Sequence, residues 1–155
     1  MTLLDRVVGV TVGALLVVLV ITAFGQVVAR YVFGQPFTWV LELDMLLMVW
    51  AVFLSGYLGV RRDTHLKVDY FVTRLSSTGR ARAALGGRLA ALLFVAVLGW
   101  KSFDIIDAMD GIAFTSMPVG MPILYWSVPI GAALMALALA DALVRDWRAS
   151  MASDR

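Results

Sequence analysis

Four long apolar stretches, separated by short polar connectors, dominate the chain. The first covers about residues 7–28, where the polar side chains are Thr11, Thr22 and Gln26. At ~1.5 Å of rise per residue, roughly 20 helical residues cross a ~30 Å hydrocarbon layer, so this stretch is long enough to span it. It is longer than the ~7–15 apolar residues of a secretory signal. Only one basic residue, Arg6, precedes it, so the expectation is a retained helix. The second stretch, about 39–60, is apolar from Met45 onward and carries Glu42 and Asp44 in its opening turns. Gly34–Gln35–Pro36 lies just before it. Proline imposes an extended residue ahead of itself and fits the start of a helix, so the first two stretches form a helical hairpin. The third, about 83–103, has Arg88 in its first turns and Lys101 near its far end. The fourth, about 123–142, contains Ser127 and ends at Asp141. Pro129 has no N–H to give the Tyr125 carbonyl, which predicts a local kink.

Two connectors carry a pattern of their own. In about 66–76, Val68, Phe71, Val72 and Leu75 fall on one helical face flanked by Lys67 and Arg74. That arrangement predicts a short amphipathic helix at the headgroups. Between the third and fourth stretches, Asp104, Asp107 and Asp110 precede a loop holding Pro118, Gly120 and Pro122. The whole predicts an all-α integral membrane protein: one domain over 1–155, four transmembrane helices, and an interfacial helix between the second and third.

Composition sharpens this picture. Hydrophobic residues make up 61% of the 155 positions, above the ~45–50% of a soluble domain. A body this small keeps too much surface to hide the excess, so lipid is its solvent. The formal charge of +2 does not point to nucleic acid, because the charges are grouped between the apolar stretches. The connector after the second stretch, through the start of the third, holds Arg61, Arg62, Lys67, Arg74, Arg80, Arg82 and Arg88, and the tail holds Arg145, Arg148 and Arg155. The opposite loops hold Arg30 and Lys101 alone. By the positive-inside bias, both termini and the middle connector are expected in the cytoplasm. Trp39, Trp100, Trp126 and Trp147 fall near stretch ends, where indoles anchor at the headgroups, whereas Trp50 is a packing residue.

Candidate chemistry is sparse. There is no cysteine and one histidine, His65, so thiolate chemistry and a bis-histidine haem are excluded. No Walker motif, nucleophile elbow or zinc motif is present, and no pair of matched broken helices suggests a carrier. The chain is therefore expected to be no enzyme and to need no cofactor. Arg30 and Glu42 should sit at similar depth across the hairpin. Two readings of Glu42 are open: an ion pair with Arg30 that fixes the hairpin or docks a partner helix, or a coupling carboxylate in a self-sufficient homo-oligomeric proton-coupled carrier. Asp104, Asp107 and Asp110 share a helical face, read as hydrated acid or as a docking surface. His65, among Arg61, Arg62 and Lys67, suits interfacial hydrogen bonding. Gly9 and Gly13 form a GxxxG step, and Gly56 adds a small residue to the second helix, where backbones could approach closely.

Residues 30–69 resemble the small membrane subunit, DctQ type, of the tripartite ATP-independent periplasmic (TRAP) transporters. The matching pieces are Arg30–Tyr31–Val32–Phe33, Pro36, Trp39 and Glu42, then Trp50, Phe53 and Gly56. Arg61–Arg62–Asp63–Thr64–His65 and Leu66–Lys67–Val68–Asp69 follow. Met117–Pro118, Tyr125, Pro129 and Gly131 add a second match. The chain departs from the pattern beside Glu42, where the family often has a second acid and this sequence has Leu41 and Leu43. The resemblance implies a bacterial inner-membrane scaffold for a large DctM-type subunit that holds the solute and sodium sites. A DctP-type periplasmic binding protein would deliver the solute, often an organic acid. Arg30, Trp39, Glu42 and Gly56 would then form the hairpin and partner interface, and Arg61, Arg62, His65, Lys67, Asp69 and Arg74 the cytoplasmic boundary. Asp104, Asp107 and Asp110 would be available to dock the binding protein, and membrane lipids would surround the helices.

Overall fold

Apolar stretches in lipid must satisfy every backbone group internally, which favours helices, and helices are what form. The computed structural model describes residues 3–61 and 77–153. Its elements are α1 (Leu3–Val32), α2 (Thr38–Arg61), α3 (Ser77–Ala108), α4 (Pro122–Tyr125) and α5 (Ser127–Ser153). Among the described residues, four helical segments are long and apolar enough to cross a membrane: Leu3–Val32, Thr38–Arg61, Leu85–Ala108 and Pro122–Arg145, the last running through α4 and α5. The interfacial helix expected at 66–76, and with it Arg62, His65, Lys67, Asp69 and Arg74, lies outside the described residues.

The helices overrun the stretches that predicted them. The 30 residues of α1 extend ~45 Å, well past a ~30 Å hydrocarbon core. Asp5 in its first turn and Arg30 in its last suit the helix dipole, so polar ends prolong the helix rather than stop it. Gly34, at φ +66°, ends α1 in the left-handed region that glycine enters without strain. The Gln35 amide turns back to the Ala29 carbonyl at 3.2 Å, and the Phe37 amide donates to Gln26 Oε1 at 3.0 Å. The reversal predicted at 34–36 is thus held from inside α1.

Close packing runs α1 on α2, α2 on α5, and α5 on α3. No other long helices pack on one another among the described residues, so the four spans form an open row rather than a closed bundle. The hairpin turn and the α3–α4 loop lie at one end, the hairpin end. The start of α1, the end of α2 and the basic end of the fourth span lie at the other, the terminal end.

The middle of the row is set by glycine. A Cβ on Gly131 of α5 would come within 2.7 Å of Phe53 Cβ and 2.9 Å of its carbonyl oxygen on α2. One on Gly56 would meet Met135 Sδ at 2.7 Å, and one on Gly99 of α3 would meet Ala132 Cβ at 3.2 Å. By contrast, Gly9 and Gly13 on α1 meet nothing within 4 Å, so the GxxxG step faces away from this chain's own helices.

The fourth span is interrupted at Trp126, three residues before Pro129, where the missing proline N–H removes a helical bond. Trp126 keeps right-handed helical angles (φ −60°, ψ −21°), so what breaks there is the hydrogen-bond ladder. Two side chains use carbonyls of the broken turn: Ser127 Oγ donates to Leu124 at 2.6 Å, and Trp50 Nε1 donates to Ile123 at 3.0 Å. Trp50 also packs against the α1–α2–α5 core, as its packing role required.

Candidate partner-facing surface and its clamps

Polar side chains in a lipid-facing protein gather where backbone or charge partners exist, and here they gather at the two ends of the row. Glu42 and Asp44 lie two residues apart on α2, roughly 200° around the helix, so they point in opposite directions. Asp44 faces α1, with Oδ1 2.5 Å from Thr22 Oγ1. Glu42 faces the α3–α4 loop. The Thr115 amide donates to its Oε1 at 2.9 Å and the Ser116 amide to its Oε2 at 2.8 Å.

The expected Arg30–Glu42 pair is therefore replaced. Helix phase turns Glu42 away from α1, and among the described residues no ion pair joins it to Arg30, which stays exposed. Two successive backbone N–H groups form a small anion cradle, and a carboxylate fills it with charge-assisted bonds. The cradle is shaped by the loop itself. Gly111 turns at φ +75°, Ala113 and Gly120 form an antiparallel bridge, and the Phe114 amide donates to Val119 at 3.0 Å. Phe114 is buried beneath it.

The terminal end is held by charge. Arg61 Nε lies 3.0 Å from Asp5 Oδ1 on α1, and Arg61 Nη2 lies 3.4 Å from Asp5 Oδ2. Tyr57 donates its hydroxyl to Asp5 at 2.6 Å. Arg61 Nη1 also pairs with Asp141 on α5, which Arg145 meets at 3.0 Å. The side chains of Arg61 and Asp5 are only 16% and 11% exposed, so this is a shielded pair rather than a solvated one. One guanidinium thereby ties three helices, using the fork geometry that distinguishes arginine from lysine.

Other singled-out residues fall elsewhere. Trp39 is exposed near the hairpin turn and stacks at a tilt on Phe37, 6.2 Å between ring centres. Gly56 is occupied by Met135 of this same chain. Asp104, Asp107 and Asp110 are all exposed, and Lys101 pairs with Asp104 at 3.0 Å. Trp100 is 75% exposed and lines an open apolar groove of about 290 Å³ between α3 and α5. Gly99, Phe103, Pro129 and Ala132 line the same groove. Phe103 meets Trp126 edge-on at 6.0 Å. Among the described residues no group of three or more His, Asp or Glu side chains is placed to hold a metal.

Sequence reasoning missed Asp5 and Asp141. Their signal was available: each sits at the terminal end of its span, at the level topology assigns to Arg61. Many large apolar side chains of the row stay exposed among the described residues. They include Val17, Val20, Ile21 and Phe24 on α1 and Leu93, Phe94 and Val97 on α3, the two outer helices.

Residues 5–149 match the family model described as tripartite ATP-independent periplasmic transporters, DctQ component. A protein of Rhodobacter capsulatus named C4-dicarboxylate TRAP transporter small permease protein DctQ is 28% identical over 104 residues, covering 66% of this chain and 46% of the relative. A protein of the same name from Vibrio cholerae serotype O1 is 25% identical over 138 residues, 72% of this chain and 59% of the relative. The chain thus spans about half the length of the curated relatives it matches.

Proposed function

The chain belongs to the DctQ family of TRAP transporter components, and from that premise we propose that it is the scaffold subunit of a sodium-coupled solute importer. It braces a large DctM-type membrane subunit in the bacterial inner membrane, with both termini in the cytoplasm, while a DctP-type periplasmic binding protein brings the solute. The observation that carries this reading is the open row: a carboxylate–loop clamp at the hairpin end, an Arg61 clamp joining three of the four spans at the other, and many apolar side chains left exposed for lipid and a neighbour. A moving permease needs a partner that keeps its shape in the bilayer, and clamps at both ends supply that.

A self-sufficient carrier finds less support. Its coupling carboxylate, Glu42, is engaged by two loop amides at the hairpin end, away from the midplane where carriers hold their ligands. Both named relatives carry C4-dicarboxylate in their names, which makes a dicarboxylate the first solute to try. In the same scheme, residues 66–76 lie as an interfacial helix, with Arg62, His65, Lys67, Asp69 and Arg74 at the cytoplasmic headgroups. Asp104, Asp107 and Asp110 face the periplasm and help dock the binding protein.

The test is reconstitution. The complete complex with its binding protein should accumulate dicarboxylate in liposomes under an inward sodium gradient, and the large subunit should co-purify with this chain. Solute accumulation by this chain alone would refute the scaffold reading. Charge reversal at Asp104, Asp107 and Asp110 should lower uptake while co-purification persists, and unchanged uptake would remove those residues from docking.

A further inference from the structure

The connection between α3 and α5 is gripped by a helix to which it is not joined in the chain. Over 109–121 the loop shapes itself: Ala113 bridges Gly120, the Phe114 amide donates to Val119, and the Met121 amide donates to Ile112 at 2.8 Å. Phe114 is its buried apolar root. α4 follows directly and ends at the interruption before α5. Among the described residues, every hydrogen bond that ties this segment to a helix other than its neighbours in the chain runs to α2. Glu42 accepts from the Thr115 and Ser116 amides in the middle of the loop, and Trp50 Nε1 donates to the Ile123 carbonyl in α4. In an unbroken helix that carbonyl would accept from the Ser127 amide, four residues on and past the interruption. Glu42 and Trp50 are about 12 Å apart along α2 and about 80° apart around it, so they meet the segment from one side.

We propose that Glu42 and Trp50 are positioning residues: together they splint the 109–125 segment to α2 and so fix the pose of the loop that the periplasmic binding protein meets. The proposal rests on the reading given above, in which the hairpin end faces the periplasm. All three bonds hold the segment by its backbone, which leaves the side chains of Thr115, Ser116 and Pro118 exposed to a partner. A loop bonded only to the helices it joins follows both of them, whereas a loop bonded to a third helix follows that one. α2 meets α5 where a Cβ on Gly131 would strike the Phe53 backbone, so the loop inherits the rigidity of that contact. A loop already in place spares the binding protein the cost of ordering it. The two grips lie on one contiguous segment, so loosening either should be felt at the other.

Trp50→Phe keeps an aromatic ring and removes the N–H. In the full chain in nanodiscs it should speed hydrogen exchange at the Thr115 and Ser116 amides roughly 2–10-fold, the net worth of one hydrogen bond, although its own bond is to Ile123. Glu42→Gln should reciprocate at the Leu124 and Trp126 amides, which donate to Met121 and Pro122. Amides of α5 beyond Gly131 should keep their native rates in both. In the reconstituted complex, Trp50→Phe should raise the binding-protein concentration that half-saturates uptake by a similar factor. Uptake at saturating binding protein and co-purification of the large subunit should stay native. Unchanged exchange at Thr115 and Ser116 in Trp50→Phe would overturn the splint. So would an equal rise throughout α5, which would mean a general loosening. Faster loop exchange with an unchanged half-saturating concentration would overturn the docking role. If Trp50→Phe does not accumulate, Glu42→Gln decides, and native rates at Leu124 and Trp126 would end the proposal. The exchange needs no partner subunit, so a failed splint is distinguishable from a failed scaffold reading, which accumulation by this chain alone would reveal.

Discussion

The centre of the row and its α1 flank solve the same problem by different physics. At the centre, α2 and α5 approach until Phe53 and Gly131 nearly touch through backbone, and α3 closes on α5 at Gly99 and Ala132. At the flank, α1 packs along α2 without a glycine contact, burying Val8, Val12 and Ala29, and adds polar attachments through Asp5, Thr22 and Gln26. Glycine lets the backbones at the centre come close, whereas the flank packs side chain on side chain with polar partners added along it. In lipid this matters, because packing complementarity and hydrogen bonds replace the hydrophobic effect as the source of helix association. A scaffold built this way has a stiff seam and a strapped edge.

The comparison breaks first at the seam. Gly131→Leu forces a side chain into the Phe53 backbone and should cost about 3 kcal/mol or more, since overpacking at a close helix contact has no flexible atom to displace. Denaturation in graded detergent should show it as a large loss of folded chain. At the flank, Arg61→Ala leaves Asp5 shielded without its guanidinium and should cost about 2–3 kcal/mol by the same assay. That cost should shrink when Asp5→Ala is added, a coupling that no change at Gly131 should share.

Glu42→Gln tests the place where two successive backbone donors hold a carboxylate. One amide cradle position loses its charge-assisted bond and the other keeps a neutral acceptor, for a loss of about 1–2 kcal/mol. Faster hydrogen exchange at Thr115 and Ser116, with the α2–α5 seam unchanged, is the expected signature. The smallest effect is expected at Gly13→Ala, within about 0.5 kcal/mol for the chain by itself, because the added methyl enters open space. A large stability loss there would show that α1 packs on its own chain more closely than its glycines indicate.

Much of the fold was legible in the order of residues. Period-free apolar runs of about twenty residues can only be helices in lipid, so span number and the Gly34–Pro36 reversal followed from chain chemistry alone. The interruption beside Pro129 was legible for the same local reason, a missing donor. The partnership of side chains was not. Glu42 and Asp44 look alike in sequence, and only the phase of α2 relative to its neighbours sends one to the loop amides and the other to Thr22.

Glycine carried the same ambiguity. Gly9 and Gly13 form a textual packing motif yet face open space, while Gly131, outside any such motif, sits where an added Cβ would meet the Phe53 backbone. A local pattern states what a residue permits, and only the arrangement of four helices states what it meets. Sequence by itself determined that this chain lives in lipid as helices, because backbone polarity and apolar length leave no other solution. The tertiary structure alone decided that those helices form an open row, sealed by Phe53 against Gly131 and strapped by Arg61. Those choices depend on which faces turn toward each other across distances that no sequence interval encodes.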